Sequence, residues 1–479
     1  MKSRDKFFIG NEWVSPSTTQ TFEVMNASTG EFVATAPEGS NADIDAAVSA
    51  ARAAFDCGEW ANSKASERAE IMKRFLTALA KRGDELAQTV STQNGMPIGL
   101  STAFESQYSA GLLQYYVEEA NNIETNVDIR PSQMGKETLV EKVPFGVVAA
   151  IVPWNFPVTL AISKIAPAMA AGCTLVIKPS PGTVLDSYIL AEAALEAGVP
   201  AGVLNWVAAD RDVGAYLVSH PEVDKVAFTG SCAAGRSVAE TCGGLLRPVT
   251  LELGGKSAAI VLEDADIDTF IEGVPTACLL NNGQTCFNGT RILAPKSQYK
   301  LISEAVAELA SAMVIGDAMD PETQMGPLAS EPHRERVEAY ITTGKKEAKL
   351  IAGGGRPKNT PGGWFVEPTV FTDVANDAVI SREEIFGPVL SIIPYEGEDE
   401  AISLANDSQF GLGGSVWSSN NEHALKVAKK VNCGTVGVNG YVPSIGAPFG
   451  GVKGSGIGRE LGPEAVDSYQ SFKSTYIMS

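Results

Sequence analysis

Histidine is nearly missing from this chain. Its 479 residues include three, His220, His333 and His423, and they lie far apart. That scarcity argues against a multi-histidine metal site. The seven cysteines (Cys57, Cys173, Cys232, Cys242, Cys278, Cys286 and Cys433) are odd in number and form no CxxC pair. Neither a disulfide framework nor a zinc knuckle is indicated. Unpaired thiols suit a reducing compartment. The opening MKSRDKFFIGNEW also lacks the apolar run of a secretion signal. Both features point to the cytoplasm. Positive charge is short too: 37 Lys and Arg stand against 57 Asp and Glu, a net charge of −20. An acidic surface repels nucleic acid and anionic lipid. Long uninterrupted apolar helices are lacking as well. Residues 143–163 carry no charge, but Pro144, Pro153, Asn155 and Pro157 would break a spanning helix. A buried strand followed by a turn is expected there. The chain is therefore expected to bind no metal, no nucleic acid and no membrane.

What is present is a large globular composition, 44% hydrophobic and 20% charged, which suggests several domains. The first forty residues alternate short apolar runs with turn residues, as strands and hairpins do. Helical spacing follows at 43–56, 66–93 and 103–122. Residues 124–142 are polar and alternating and read as an exposed β-excursion. From 143 the rhythm becomes strand, helix, strand, helix. GVVAAIV and TLVIK are continuous apolar runs suited to buried parallel strands. VLNWVA and DKVAFTGS are the next two strands; helices at 158–171 and 184–197 separate the first three, and a helix from about Ala234 follows the fourth. This is the βαβ signature of an open parallel sheet. After Glu252 the pattern restarts with SAAIVL, a helix near 267–281, a long helix at 297–313, and strands at VLSIIPY and TVGVN. A second α/β domain is expected.

Four short segments carry chemistry. Residues 283–291 (GQTCFNGTR) place Cys286 among small and polar residues, in a loop or at a helix start. A thiol at a helix N-terminus has a lowered pKa and attacks more readily, although free cysteine is commonly a small core residue. Residues 252–256 (ELGGK) set a carboxylate beside two glycines, which also suits a turn cap. Residues 153–157 (PWNFP) hold Asn155 between two prolines, where its amide could face an oxyanion or simply close a turn. FTGSCAAG at 228–235 is a strand-to-helix turn. Gly230 and Gly235 there would let the backbone approach a pyrophosphate, or would merely ease packing.

Taken together and in order, these segments resemble the aldehyde dehydrogenase superfamily over essentially the whole chain. FIGNEWV, STGEFVATAP, PWNFP, VIKPS, DKVAFTGS, LELGGKS, GQTC, EEIFGPV, GTVGVN, PFGGVKGSGIGRELG and YQSFK carry the resemblance. It implies an α/β fold with a Rossmann-like dinucleotide-binding domain (1–123 and 143–253), a catalytic domain (254–455) and a small β oligomerisation ribbon (124–142 and 456–479). It implies that an aldehyde is oxidised to an acid through a thioester on Cys286. Glu252 is then the base for hydrolysis. Asn155, with the backbone amide of Cys286, is the oxyanion donor. Lys164 supports the site, and Glu460 belongs to a proton relay. Ile151, Trp154, Lys178, Ser180, Gly214, Phe228, Gly230, Ser231 and Leu253 match positions that line the dinucleotide. Glu384 and Phe386 match those that hold the nicotinamide ribose. Phe156, Phe287 and Phe449 match the aldehyde channel and imply an apolar entrance.

The turn departs from the dinucleotide fingerprint, reading GSxxxG and not GxGxxG. Pro181 stands where many members carry a glutamate that binds the adenosine ribose, so NAD is favoured and NADP use stays open. A homodimer or homotetramer is expected. The competing readings are a CoA-acylating relative, against which Glu252 argues; a cofactor-independent cysteine esterase, which would want a paired histidine; and a structural protein on the same fold.

Overall fold

The structure, a computed structural model, describes residues 1–123, 127–360 and 362–478. Its first sheet has eight strands. Five central strands are parallel and run in the spatial order Val249–Glu252, Lys225–Thr229, Val147–Ile151, Thr174–Lys178, Leu204–Trp206. The first of these along the chain, Val147–Ile151, lies in the middle. Later strands are added first on one side and then on the other, which makes its carboxyl end the topological switch point, where open α/β sheets bind ligands. The burial of all but the last residue of Val147–Ile151, and of all of Thr174–Lys178, explains why both read as unbroken apolar runs: helices cover both faces. The N-terminal hairpin of Phe7–Ile9 and Glu12–Val14 extends one edge antiparallel.

The second sheet has seven strands. Six run parallel from Thr369–Thr372 through Val389–Tyr395, Arg291–Pro295, Ala258–Val261 and Gly414–Trp417 to the short Gly437–Val438, with Lys349–Ala352 antiparallel at the other edge. A third, three-stranded antiparallel sheet joins Gln470–Ile477, Glu137–Pro144 and Asp128–Pro131. Residues 124–126 of the expected ribbon segment lie outside the described residues. Among the described residues no helix is long and apolar enough to cross a membrane.

Three local expectations are corrected. The helical run at 66–93 is two helices, Ala65–Ala80 and Gly83–Asn94. The run at 103–122 begins as a π-helix over Thr102–Tyr108 before Ser109–Asn122 becomes α-helical. Gly456–Ile457, read with the ribbon, instead pairs antiparallel with Val249–Glu252 at the edge of the first sheet. That pairing ties the chain around Glu460 to the strand that ends in Glu252.

Candidate active site

Cys286 does not begin a helix. It stands in an irregular turn after the helix Ile267–Ala277, so of the two alternatives the loop holds and activation by a helix terminus does not apply. Burial pushes its thiol well up from the ordinary value. Glu384 and Glu252 add to that, and the backbone amides of Cys286 and Phe287 oppose it. The turn is shaped by Asn281, Asn282 and Gly283, three consecutive residues in the left-handed region. Asn and Gly are the residues that tolerate this conformation. Side-chain amides lock the turn in place. Asn282 donates to the carbonyls of Gly95 and Pro327, both at 2.8 Å. Asn281 donates to the carbonyl of Asn155 at 2.8 Å. The Gln284 side chain accepts from the amide of Ala329 at 3.0 Å.

Asn155 comes from the switch-point end of the first sheet. Its amide nitrogen donates to the carbonyl of Gln284 at 3.0 Å. An amide group has two hydrogens; one ties the two turns together, and among the described residues the other has no acceptor. Asn94 supports the same turn from behind, donating to the carbonyl of Trp154 at 3.1 Å.

Glu252 ends its strand fully buried, and neither carboxylate oxygen has a hydrogen-bond partner. Burial raises it well above the ordinary carboxylate range. The charge of Glu460 adds to the rise, while Lys164 and Arg459 oppose it. A β-carbon on Gly450 would lie 2.5 Å from Glu252 Oε1, so the carboxyl rests against bare backbone. Behind it is a buried ion pair. Lys164 Nζ donates to Glu460 Oε1 and to Thr229 Oγ1, both at 2.6 Å, and Ser163 donates to Glu460 Oε2 at 2.9 Å. Such a pair tolerates burial because further hydrogen bonds, to Thr229 and from Ser163, meet part of its remaining donors and acceptors.

Two cavities meet at this cysteine. One, of about 80 Å³, is walled by Phe104, Tyr108, Phe156, Leu160, Phe287 and Phe449, and reaches Asn155, Cys286 and Glu460. The other, of about 220 Å³, is lined by Trp154, Thr229, Gly230, Ser231, Glu252, Leu253, Glu384 and Phe386, and also reaches Asn155 and Cys286. The structure thus brings together Cys286, Asn155, Phe156, Phe287, Phe449 and Glu460 in the first, and Trp154, Gly230, Ser231, Leu253, Glu384 and Phe386 with Glu252 in the second. Lys164 lies one contact behind, through Glu460.

Ile151, Lys178, Ser180, Gly214 and Phe228 line neither cavity. Ile151 stands in register between Phe228 and Lys178 on adjacent strand ends. Lys178 is buried and lowered to about 8 by desolvation. A β-carbon on Gly214 would lie 2.8 Å from Lys178 Cε. Ser180 precedes the short 3₁₀ turn Pro181–Thr183.

The second cavity suits a dinucleotide. A β-carbon on Gly230 would lie 2.7 Å from the Phe228 ring, so only glycine leaves the backbone open there. The helix Cys232–Gly244 starts at Ser231, whose hydroxyl accepts from the amide of Ala234. A helix start of this kind attracts phosphate oxygens. Glu384 Oε1 accepts from the amide of Gly255 at 3.0 Å, and burial raises its carboxyl to about 7.

Sequence reasoning missed His333. It lines this cavity, its Nε2 donates to the carbonyl of Phe386 at 2.7 Å, and its ring packs edge-on against Trp154. Burial lowers it to about 4, so it is neutral. The bond to a carbonyl fixes its tautomer and helps hold Phe386 at a positive φ of 63°.

The family model described as "Aldehyde dehydrogenase family" matches residues 13–475. The chain belongs to the aldehyde dehydrogenase family. It is 56% identical over 471 residues to the geranial dehydrogenase of Castellaniella defragrans, covering 98% of each chain. Among solved structures it is similar to an aldehyde dehydrogenase of Mycobacterium tuberculosis complexed with NAD+. The TM-score is 0.97 at 44% identity, with 100% of this chain and 99% of that one covered. It is also similar to a cysteine-to-alanine variant of aldehyde dehydrogenase C from Pseudomonas syringae, complexed with NAD+ and octanal. There the TM-score is 0.94 at 37% identity, over 98% and 96% of the two chains. Such agreement over whole chains places the fold of this aldehyde dehydrogenase with theirs.

Proposed function

We propose that this chain oxidises apolar aldehydes to carboxylic acids with NAD, through a thioester on Cys286 that water hydrolyses with Glu252 as base. The observation that carries the reading is the position of Cys286 at the junction of an aromatic cavity and a polar one. The aromatic side would hold the substrate tail. Its sulfur would add to the carbonyl carbon, and the free hydrogen of the Asn155 amide would donate to the developing oxyanion. Trp154, Gly230, Ser231, Leu253, Glu384 and Phe386 would hold the dinucleotide, with Lys178, Ser180, Gly214, Ile151 and Phe228 at the far strand ends. The bound nicotinamide supplies the hydride acceptor. Glu252 would then take a proton from water attacking the thioester, and the raised carboxyl makes it a base of useful strength. Glu460 would carry that proton onward, with Lys164 supporting it.

Several observations support the finer points. The relative named for geranial and the neighbour that holds octanal both favour apolar aldehydes. The neighbour complexed with NAD+ favours NAD. In this reading residues 1–123 and 143–253 bind the dinucleotide, 254–455 carry the nucleophile, and the ribbon pairs with a second copy. Exposed Ile129, Phe472, Tyr476 and Met478 on that ribbon support a homo-oligomer. Free cysteines throughout support a cytoplasmic protein. The test is a panel of aldehydes with NAD and with NADP, following reduced cofactor. Octanal or geranial with NAD should give steady turnover. No reduction with any aldehyde would refute the reading.

A further inference from the structure

Glu105 is a fully buried carboxyl group with no place in the chemistry above. It lies on the π-helical segment Thr102–Tyr108. Phe104 and Tyr108 from that segment wall the aromatic cavity, with their rings 5.7 Å apart. Short π-helical stretches are rare and recur at functional sites.

Glu105 Oε2 accepts from the amide of Val158 at 2.7 Å and from that of Thr159 at 3.4 Å. These are the first free amides of the helix Pro157–Ala171. That helix has no side-chain cap of its own, and its first residue is a proline, which has no N–H to offer. A helix start buried without partners is costly, and here a carboxyl from another segment serves both amides. Thr159 returns the tie, its hydroxyl donating to the carbonyl of Phe104 at 2.8 Å. The capped helix begins two residues after Asn155, and Phe156, Thr159, Leu160 and Ser163 line the same cavity. Phe104 and Phe156 meet edge-on at 5.7 Å across it. Glu105 Oε1 has no partner, and burial raises the carboxyl to about 8 against the pull of the Thr159 hydroxyl and the two amides.

We propose that Glu105 is a positioning residue for the aldehyde cavity: by capping the helix Pro157–Ala171 it holds the Phe104–Tyr108 wall and the Asn155–Phe156 turn in register around Cys286. The capping needs an acceptor oxygen and no negative charge. The inference rests on the aldehyde-oxidising reading and adds a residue that acts at a distance from the reacting atoms.

The test compares Glu105→Ala, Glu105→Gln and Thr159→Val with the wild type, using octanal, acetaldehyde and NAD. Misplacing reacting groups by an ångström costs about a hundredfold, so Glu105→Ala should lower kcat/KM for octanal by about that factor. Acetaldehyde does not reach the wall and should lose about tenfold less. NAD binding, titrated by fluorescence, should be unchanged. Glu105→Gln keeps a carbonyl oxygen for the two amides and should recover most of the octanal activity. Thr159→Val keeps the amide but cuts the tie to Phe104, and should lose a few-fold for octanal alone, which preserves a test if Glu105→Ala does not fold. Equal losses for both aldehydes together with weaker NAD binding would overturn the proposal. So would a Glu105→Gln variant as impaired as Glu105→Ala, or a Thr159→Val variant with unaltered octanal kinetics. A wild-type protein inert toward every aldehyde would instead refute the reading on which it rests.

Discussion

On one side of Cys286 the wall is aromatic: Phe104, Tyr108, Phe156, Phe287 and Phe449 enclose a narrow space. On the other side two raised carboxyl groups, Glu252 and Glu384, share a wider cavity with Gly230, Ser231 and a neutral histidine. The two sides make different demands on the sequence. The aromatic side needs shape and the exclusion of water, so its side chains interlock, as Phe287 does with Tyr441 at 4.7 Å. The polar side needs unmet valences. The bare oxygens of Glu252 are costly to bury, a cost that fits the role of base proposed for it.

The comparison is broken most severely at the shared atom. Cys286→Ser leaves both cavities intact but replaces the nucleophile. Turnover should fall by about a thousandfold or more, with cofactor binding retained. Steady reduction at more than a few per cent of the wild-type rate would remove Cys286 from its role.

Next is the polar side alone. Glu252→Gln should leave acyl transfer to Cys286 working and stall hydrolysis. It should release one equivalent of reduced cofactor in a burst, and the steady rate should fall about 10² to 10⁴-fold. The sign with pH follows from two groups raised in the fold. Cys286 and Glu252 both act after losing a proton, and burial raises both. The wild-type rate should therefore climb from neutral to mildly alkaline pH. In Glu252→Gln only the burst, which depends on the thiol, should keep that climb. A steady phase of normal amplitude in the variant would show that another group activates the water.

How far the sequence revealed this depends on whether the signal was local. The parallel strands were legible because each is buried on both faces and so is continuously apolar. The order PWNFP, FTGS, ELGG, GQTC was legible as a family pattern. The geometry around Cys286 was not. Asn281 and Asn282 hold the turn by reaching Asn155, Gly95 and Pro327, partners from 45 to 187 residues away, and nothing in NNGQTC names them. His333 enters the polar cavity from the helix Glu331–Glu347, with no motif to announce it. The break between the helices Ala65–Ala80 and Gly83–Asn94 falls at Lys81 and Arg82, both good helix formers. Gly83 there packs on Ser106, and a β-carbon would collide with its hydroxyl. The choice between loop and helix start at Cys286 stayed open for the same reason: small polar residues look alike in a capped helix and in a left-handed turn.

The smallest expected effect sharpens the aromatic side. Phe449 lines the cavity and meets the Phe287 ring edge-on at 6.2 Å. It also bridges by its backbone to Glu460, donating at 2.6 Å and accepting at 2.8 Å. Phe449→Ala keeps those backbone bonds and leaves the Lys164–Glu460 pair in place, so it alters the wall and not the relay. Losing part of an apolar wall is worth about 1 to 3 kcal/mol of discrimination. The octanal KM should therefore rise by about tenfold, with kcat nearly constant, because the missing contact is made equally in the ground and transition states. Acetaldehyde should be nearly indifferent. A fall in kcat for both aldehydes would mean that Phe449 acts through its backbone bridge on Glu460, and the two sides of Cys286 would then be less independent than their linings suggest.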